Sequence, residues 1–150
     1  MVYPVAAARG RRRARGREPH MYTNSKVVTW YAGLIGIVLI ASGLLGFADN
    51  PLIGREDAVF PTGTAHNVVH ILTGIVALAI AFGLRGRPQA NALIAFGVVY
   101  AVVFVALLLS DTLFGLLDPV NGADHVLHAG LAILSIAVGL MSQSSAARTA

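Results

Sequence analysis

Four long apolar segments separated by short polar stretches dominate the pattern along the chain. Each segment is close to the roughly 20 residues that a helix needs to cross about 30 Å of hydrocarbon. None shows the alternation of a membrane β-barrel strand, and backbone groups in lipid must be satisfied within their own segment. The pattern therefore predicts an all-α, four-transmembrane-helix bundle with spans at residues 27–48, 65–84, 90–110 and 123–141.

The connections between these spans are short, which makes consecutive helices antiparallel neighbours. Residues 49–63 form the longest connection and are rich in turn residues. Residues 85–89 form a tight link. Residues 111–122 are partly apolar, which suits either a continuation of the third helix or a segment at the membrane interface.

Composition supports lipid as the main surroundings of the chain. Hydrophobic residues make up 56% of the sequence and charged residues 12%, whereas a soluble domain has about 25% charged residues. Cysteine is absent, which excludes disulfides, thiol catalysis and cysteine-ligated zinc. We find no glycine-rich phosphate loop, no nucleophile elbow and no carboxylates at catalytic spacing. We therefore expect a protein that is not an enzyme and has no catalytic residues.

The charges of the connections alternate in sign along the chain. A run of arginines between Arg9 and Arg17 precedes the first span, and the 85–89 link carries two more arginines. The connections after the first and third spans are acidic on balance. The positive-inside rule then places both termini in the cytoplasm and the two acidic connections outside.

The terminal segments flank a membrane domain at residues 27–142. Residues 1–26 are basic and have little to bury, so we expect them to be disordered and cytoplasmic. They either bind anionic lipid head groups or only fix the topology. Nucleic acid is not an expected partner, because the basic residues are not spread over a folded surface. The first apolar run is too long for a signal peptide, so the first helix is expected to stay uncleaved, and residues 143–150 form a cytoplasmic tail.

Two stretches of the sequence repeat a polar pattern that ends in a histidine. They read TAHNVVHILTG at 64–74 and GADHVLHAGLA at 122–132. Offsets of 4, 7 and 11 from each histidine keep one face of a helix, and small residues on that face mark close helix packing in membranes. Both histidines should therefore face the bundle interior. The small residues are Gly74, Ala77 and Ala81 after His70, and Ala132, Ser135 and Gly139 after His128.

The first and third spans also carry small residues that suit close packing. The simplest arrangement is two tandem helical hairpins, one-two and three-four, in the same orientation. A pseudo-twofold axis along the membrane normal would relate the two hairpins. The small residues are Gly33, Gly36, Gly43 and Gly46 in the first span, and Gly97 and Ala101 in the third.

A polar cluster is expected at the outer ends of the second and fourth helices. Its predicted members are Asn67, His70, Asp124 and His128. We expect them to hydrogen-bond across helices two and four and so hold the bundle in register, a structural or accessory role. Thr64 and Asn121 are the expected N-caps of these helices.

Three other functions compete with this structural role. His70 and His128 at equal depth suit a bis-histidine b-type haem and hence electron transfer. The pairs His66-x3-His70 and Asp124-x3-His128 each place two ligands for a divalent metal on one helical face. Ionisable residues inside a span also raise the hypothesis of a small ion or solute transporter. The expectation is that no cofactor is bound, with haem or a metal at His70 and His128 as the alternative.

Several further residues are candidate neighbours of this cluster. Asp111 either reaches the histidines from the third helix or is a solvated loop residue. His125 is expected at the interface, and Tyr100 is expected to pack in the core. Possible additional members of the cluster are His66, His125 and Asp111.

The segments LLGF, AHNVVHILTG, FGVVY and NGADHVLH follow one another in this four-helix frame. This order resembles the bacterial membrane family described as domain of unknown function 4383. The resemblance covers 27–140 and implies a multipass protein of the bacterial plasma membrane. The family pattern has Asn after the Asp, whereas this chain has His125, so the resemblance does not support His125 as a ligand. It implies no substrate or cofactor.

Overall fold

Four helices make up the computed structural model, which describes residues 25–48, 50–54 and 57–147. They are α1 (Ser25–Leu45), α2 (Thr64–Gly83), α3 (Gly86–Leu109) and α4 (Gly122–Ala147). All four are long and apolar enough to cross a membrane. The described residues form no strand beyond an isolated bridge, so the predicted all-α four-helix bundle is confirmed. The predictions for residues 1–24 and 148–150 lie outside the described residues.

The start of α4 is fixed by a reciprocal pair of side-chain caps. The Asn121 Oδ1 accepts the backbone N–H groups of Ala123 and Asp124 at 2.9 and 3.2 Å. The Asp124 carboxylate in turn accepts the backbone N–H of Asn121 at 3.0 Å. This reciprocal arrangement, a capping box, satisfies backbone N–H groups that the first turn of a helix leaves without partners. Asn121 is thereby confirmed as the N-cap.

The start of α2 differs from the prediction. The helix begins at Thr64 itself, and the residue before it, Gly63, makes no side-chain cap. Thr64 is therefore not the N-cap that its residue type suggested. Instead, the Asp118 carboxylate from the α3–α4 connection lies against Gly63. Its negative charge is placed at the positive end of the α2 dipole.

The helices pack as two hairpins, α1 along α2 and α3 along α4. Gly36 of α1 lies against the carbonyl of Gly74 and the side chain of Leu78. The second hairpin repeats this contact with Gly97 of α3 against the carbonyl of Ala132 and against Ile136. When His70 is aligned with His128, Gly74 of α2 falls on Ala132 of α4, and Leu78 falls on Ile136. This equivalence favours the tandem-hairpin arrangement, and the pseudo-twofold axis stays a prediction.

The two hairpins meet through α1 and α3. In addition, α1 contacts α4, and α3 contacts α2. In the described backbone, no Cα of α2 lies within 8 Å of a Cα of α4. Side chains therefore have to bridge the space between these two helices. The site described below lies in that space.

Buried polar side chains tie the helices together away from the site. Gln89 is 0% exposed, and its amide donates to the carbonyls of Ile80 and Ala81 and to the Thr29 hydroxyl. Tyr100 is buried as expected, and its hydroxyl donates to Thr73 at 3.0 Å. These bonds connect α3 to α1 and α2 within the core.

The α1–α2 connection folds over the end of the bundle where α4 begins. Residues Ile53 and Phe60 form a parallel bridge within it. The Asn121 amide donates to the carbonyl of Val59 at 2.9 Å, which ties this connection to the first turn of α4. Ile53 and Thr62 of this connection are themselves buried, so the connection packs onto this end of the helices.

Candidate functional site

Three histidine side chains meet where α2 faces α4. His66 and His70 lie one turn apart on α2, and their ring centroids are 4.4 Å apart. The His128 ring from α4 lies 6.1 Å from the His66 ring and 6.5 Å from the His70 ring. One ring nitrogen of each histidine lies within 4.8 Å of the other two. The three rings form the histidine cluster, defined as His66, His70 and His128.

The hydrogen bond of His128 determines which of its nitrogens is free. Its Nδ1 lies 2.7 Å from the backbone carbonyl of Asp124, one turn earlier in α4. A carbonyl oxygen only accepts hydrogen bonds, so Nδ1 of a neutral ring carries the proton. The Nε2 of His128 then keeps its lone pair and is a potential ligand atom.

The same reasoning applies to His70 through Ser42 of α1. The Ser42 hydroxyl donates its one proton to the carbonyl of Leu39 at 2.9 Å. Its oxygen lies 3.3 Å from the Nδ1 of His70, and it therefore accepts the Nδ1 proton in this bond. The Nε2 lone pair of His70 is consequently free as well.

His66 is the member of the cluster with no hydrogen-bond partner in the described chain. Its side chain is 1% exposed, and both ring nitrogens are buried without a partner. Leaving a buried donor or acceptor unpaired costs about 1–3 kcal/mol. The free Nε2 lone pairs of His70 and His128 thus lie close to the His66 ring, whose nitrogens have no partner. The chemistry that fits such a set of neutral imidazoles is the binding of a transition-metal ion.

The other two predicted members border the cluster without joining it. Asp124 is buried, but one of its carboxylate oxygens is used by the cap at Asn121. Asn67 is also buried, packs against Gly46 of the α1 end, and leaves its Oδ1 without a partner. Both residues shape the surroundings of the histidines.

Two of the additional candidates lie apart from the histidine cluster. Asp111 is exposed, and its backbone carbonyl accepts the N–H of Val120. It is therefore a loop residue, which was one of the two alternatives. His125 is half-buried, and its ring packs edge-on against Phe104 of α3 at 6.3 Å.

The predicted hydrogen bonds across helices two and four are not among the contacts of the described residues. His70 bonds to α1, His128 bonds within α4, and His66 bonds to neither. The imidazoles meet as rings with unused nitrogens. The i,i+4 spacing of His66 and His70 was the sequence signal for this arrangement. The separation of α2 from α4 could not be inferred from it.

A cavity of about 580 Å³ lies beside the cluster, between α1 and α4. His70, His128 and Asp124 line it together with Ser42, whereas Leu39 and other apolar residues line the rest. Two of the three histidines are thus reached from this cavity. An ion held by the cluster would have space on that side for a further ligand.

Four helices long and apolar enough to cross a membrane define a multipass membrane protein, and the histidine cluster lies among them. A family model described as "Domain of unknown function (DUF4383)" matches residues 29–141, and the chain belongs to this family. The resemblance found in the sequence is thereby confirmed. Among curated proteins and among solved structures, no match to the chain was found.

Proposed function

We propose that this protein binds one divalent transition-metal ion through His66, His70 and His128. The observation that carries the proposal is the unpaired, buried imidazole of His66 beside two histidines whose Nε2 lone pairs are free. The ion would connect α2 to α4, which make no close backbone contact of their own. Its role is structural, and catalysis forms no part of the proposal.

The ligand set indicates which ions are suitable. Neutral imidazoles suit zinc, copper, iron and nickel. The chain has no cysteine, whose thiolate would favour a softer ion. Zinc bound by three protein side chains keeps a fourth position for another ligand, with Zn–N distances of about 2.0–2.1 Å. The nitrogens lie within 4.8 Å of one another, so modest side-chain movements would bring them to such distances. Zinc is accordingly the first ion to test.

The hydrogen bonds around the cluster support metal binding over a purely polar contact. Histidine ligands in metal sites usually donate their other N–H to a carbonyl, a carboxylate or water, which fixes ring orientation. His128 does so to the Asp124 carbonyl, and His70 does so to Ser42. Both rings are thus held through Nδ1, which leaves Nε2 as the potential ligand nitrogen.

The geometry gives less support to the two other functions. A haem between His70 and His128 needs space for a porphyrin ring. The His66 ring takes up part of that space, because it lies 4.4 Å from the His70 ring and 6.1 Å from the His128 ring. A transport path along the small-residue faces is closed by helix packing. In the described helices, Gly74 and Gly139 pack directly against α1 and α3. A single ion therefore suits the space better than a porphyrin or a pore.

A zinc titration of the purified protein tests the proposal. The protein should carry a purification tag without histidine, be treated with a chelator, and be titrated with Zn²⁺ by calorimetry in detergent. We expect one equivalent per chain for the native protein and for the control His125→Ala. We expect no saturable binding in a variant with alanine at all three histidines. Equal binding by the native protein and this variant would refute the proposal.

Ser42 should influence this binding without contacting the ion. In Ser42→Ala the Nδ1 proton of His70 loses its acceptor, so the ring is no longer held in one tautomer. We expect the zinc affinity to fall roughly tenfold, as for other residues that orient metal ligands. Thr64→Ala, at an exposed position that makes no cap, should leave the affinity unchanged. An unchanged affinity in Ser42→Ala would contradict the assigned hydrogen bond.

We also propose that the histidine cluster lies at the outer side of a bacterial plasma membrane, with both termini in the cytoplasm. The exposed Arg85, which precedes α3, and Arg87, in the first turn of α3, support this orientation through the positive-inside rule. Because the native chain lacks cysteine, Asp118→Cys should react with an impermeant thiol reagent on intact cells. Arg87→Cys should react only after the cells are opened. The reverse pattern would contradict the orientation.

A further inference from the structure

The cavity beside the histidine cluster has one polar end and one apolar end. Its walls are formed by apolar side chains of α1 and α4, including Ile35, Leu39, Leu131 and Leu134. The polar side chains of Ser42, His70, Asp124 and His128 gather towards one end of it. On α1 the lining runs from Tyr31 to Ser42, which is about 16 Å at 1.5 Å per residue. This length suits an extended hydrocarbon chain with a polar head.

The cavity opens towards the bilayer and is covered on the side of the polar end. Ile53, Phe60 and Thr62 of the α1–α2 connection line that covered end. Residues along the α1 and α4 rims are exposed, for example Val38 at 51% and Leu134 at 53%. These rim residues lie within candidate membrane spans. A molecule dissolved in the bilayer therefore has direct access between α1 and α4.

We propose that this cavity binds a long-chain fatty acid whose carboxylate is the fourth ligand of the metal ion at the histidine cluster. The inference rests on the proposed function for the carboxylate and on the cavity for the chain. Three neutral imidazoles bring no negative charge of their own to a divalent ion, and a carboxylate ligand supplies both a negative charge and a ligand oxygen. The hydrocarbon chain follows the apolar wall towards Tyr31.

The charge of the head group separates a fatty acid from other amphiphiles of the bilayer. A fatty alcohol fills the apolar wall equally well but brings no charge to the ion. A phospholipid has a head group much larger than a carboxylate. Asp124 lines the same cavity and uses one carboxylate oxygen in its cap; the proposal assigns the fourth position on the ion to the incoming carboxylate.

Binding of the fluorescent fatty acid cis-parinaric acid tests this proposal. The protein is titrated in detergent micelles twice, once loaded with Zn²⁺ and once after treatment with a chelator. Palmitic acid and hexadecanol are the competitors in both titrations. We expect saturable binding that palmitic acid displaces and that weakens on the order of tenfold when the ion is removed. Hexadecanol should compete more weakly than palmitic acid only in the zinc-loaded protein.

Two glycine variants provide the matched comparison. A side chain at Gly130, which lines the cavity, or at Gly83, which does not, would meet no atom within 4 Å. Gly130→Trp should abolish displaceable binding, and Gly83→Trp should preserve it. Equal loss or equal retention in both variants would show that the fatty acid does not occupy this cavity.

The outcomes separate this proposal from the proposed function. Zinc binding measured without fatty acid reports on the histidine cluster alone. If zinc binds and cis-parinaric acid does not, the fatty-acid proposal fails and the metal site stands. If cis-parinaric acid binds at the cavity of the zinc-loaded protein with no effect of chelation, the carboxylate is not a ligand of the ion and the proposal as stated is wrong.

Discussion

The variant His66→Leu is expected to be more stable than the native protein when both are free of metal, and to gain no stability from zinc. The His66 imidazole is buried with two unpaired nitrogens. Replacing an unpaired polar group by an apolar side chain of similar size removes a penalty of about 1–3 kcal/mol. The same change removes one ligand of the proposed ion. Both effects follow from one ring.

Thermal unfolding in detergent, with and without Zn²⁺, measures both parts of this prediction. An ion present at about 100 times its Kd stabilises the native protein by about 2.7 kcal/mol. That stabilisation should be lost in His66→Leu and kept in His125→Leu, which serves as the control. If the cluster is held only by polar contacts, His66→Leu should instead be less stable than the native protein at every zinc concentration. That result would contradict the metal assignment.

The variant Gly36→Ile is expected to destabilise the first hairpin strongly. A Cβ at this position would lie 2.8 Å from the Leu78 Cγ and 2.9 Å from the carbonyl oxygen of Gly74. The carbonyl belongs to the helix backbone and cannot turn aside, so α1 and α2 would have to separate. Overpacking of this kind typically costs about 1–3 kcal/mol. Unfolding in a titration with sodium dodecyl sulphate measures the loss.

The second hairpin should respond in the same way. A Cβ at Gly97 would lie 2.9 Å from the carbonyl oxygen of Ala132, so Gly97→Ile should be destabilised to a similar extent. Gly83→Ile is the control, because a side chain there meets nothing within 4 Å. Equal stability of Gly36→Ile and Gly83→Ile would show that α1 and α2 do not pack closely in the membrane.

The fold was largely predictable because membrane insertion imposes a simple physical rule. A helix must satisfy its own backbone in lipid, so apolar length alone predicts four helices. Helix ends are less predictable from residue type. Asn121 caps α4, whereas Thr64 does not cap α2, because a carboxylate from a distant connection lies against Gly63 instead. That contact depends on tertiary structure and leaves no local pattern.

The site was predictable in its composition and only partly in its contacts. The repeat identified His70 and His128 as residues that face the bundle, and the structure brings both into one cluster with His66. The predicted bonds between α2 and α4 are not made by the described residues, and the backbones of these two helices stay apart. Gln89 was missed because the sequence placed it in the connection between the second and third helices. In the structure it lies buried in the first turns of α3. No apolar periodicity marks such a residue.

X-ray absorption at the zinc edge of the loaded protein tests the metal assignment most directly. We expect three imidazole nitrogens at about 2.0–2.1 Å from zinc, with the multiple-scattering pattern of histidine rings. His66→Leu should remove that pattern, and His125→Ala should preserve it. A spectrum with oxygen ligands alone, or one unchanged in His66→Leu, would contradict the claim that His66, His70 and His128 bind a metal ion.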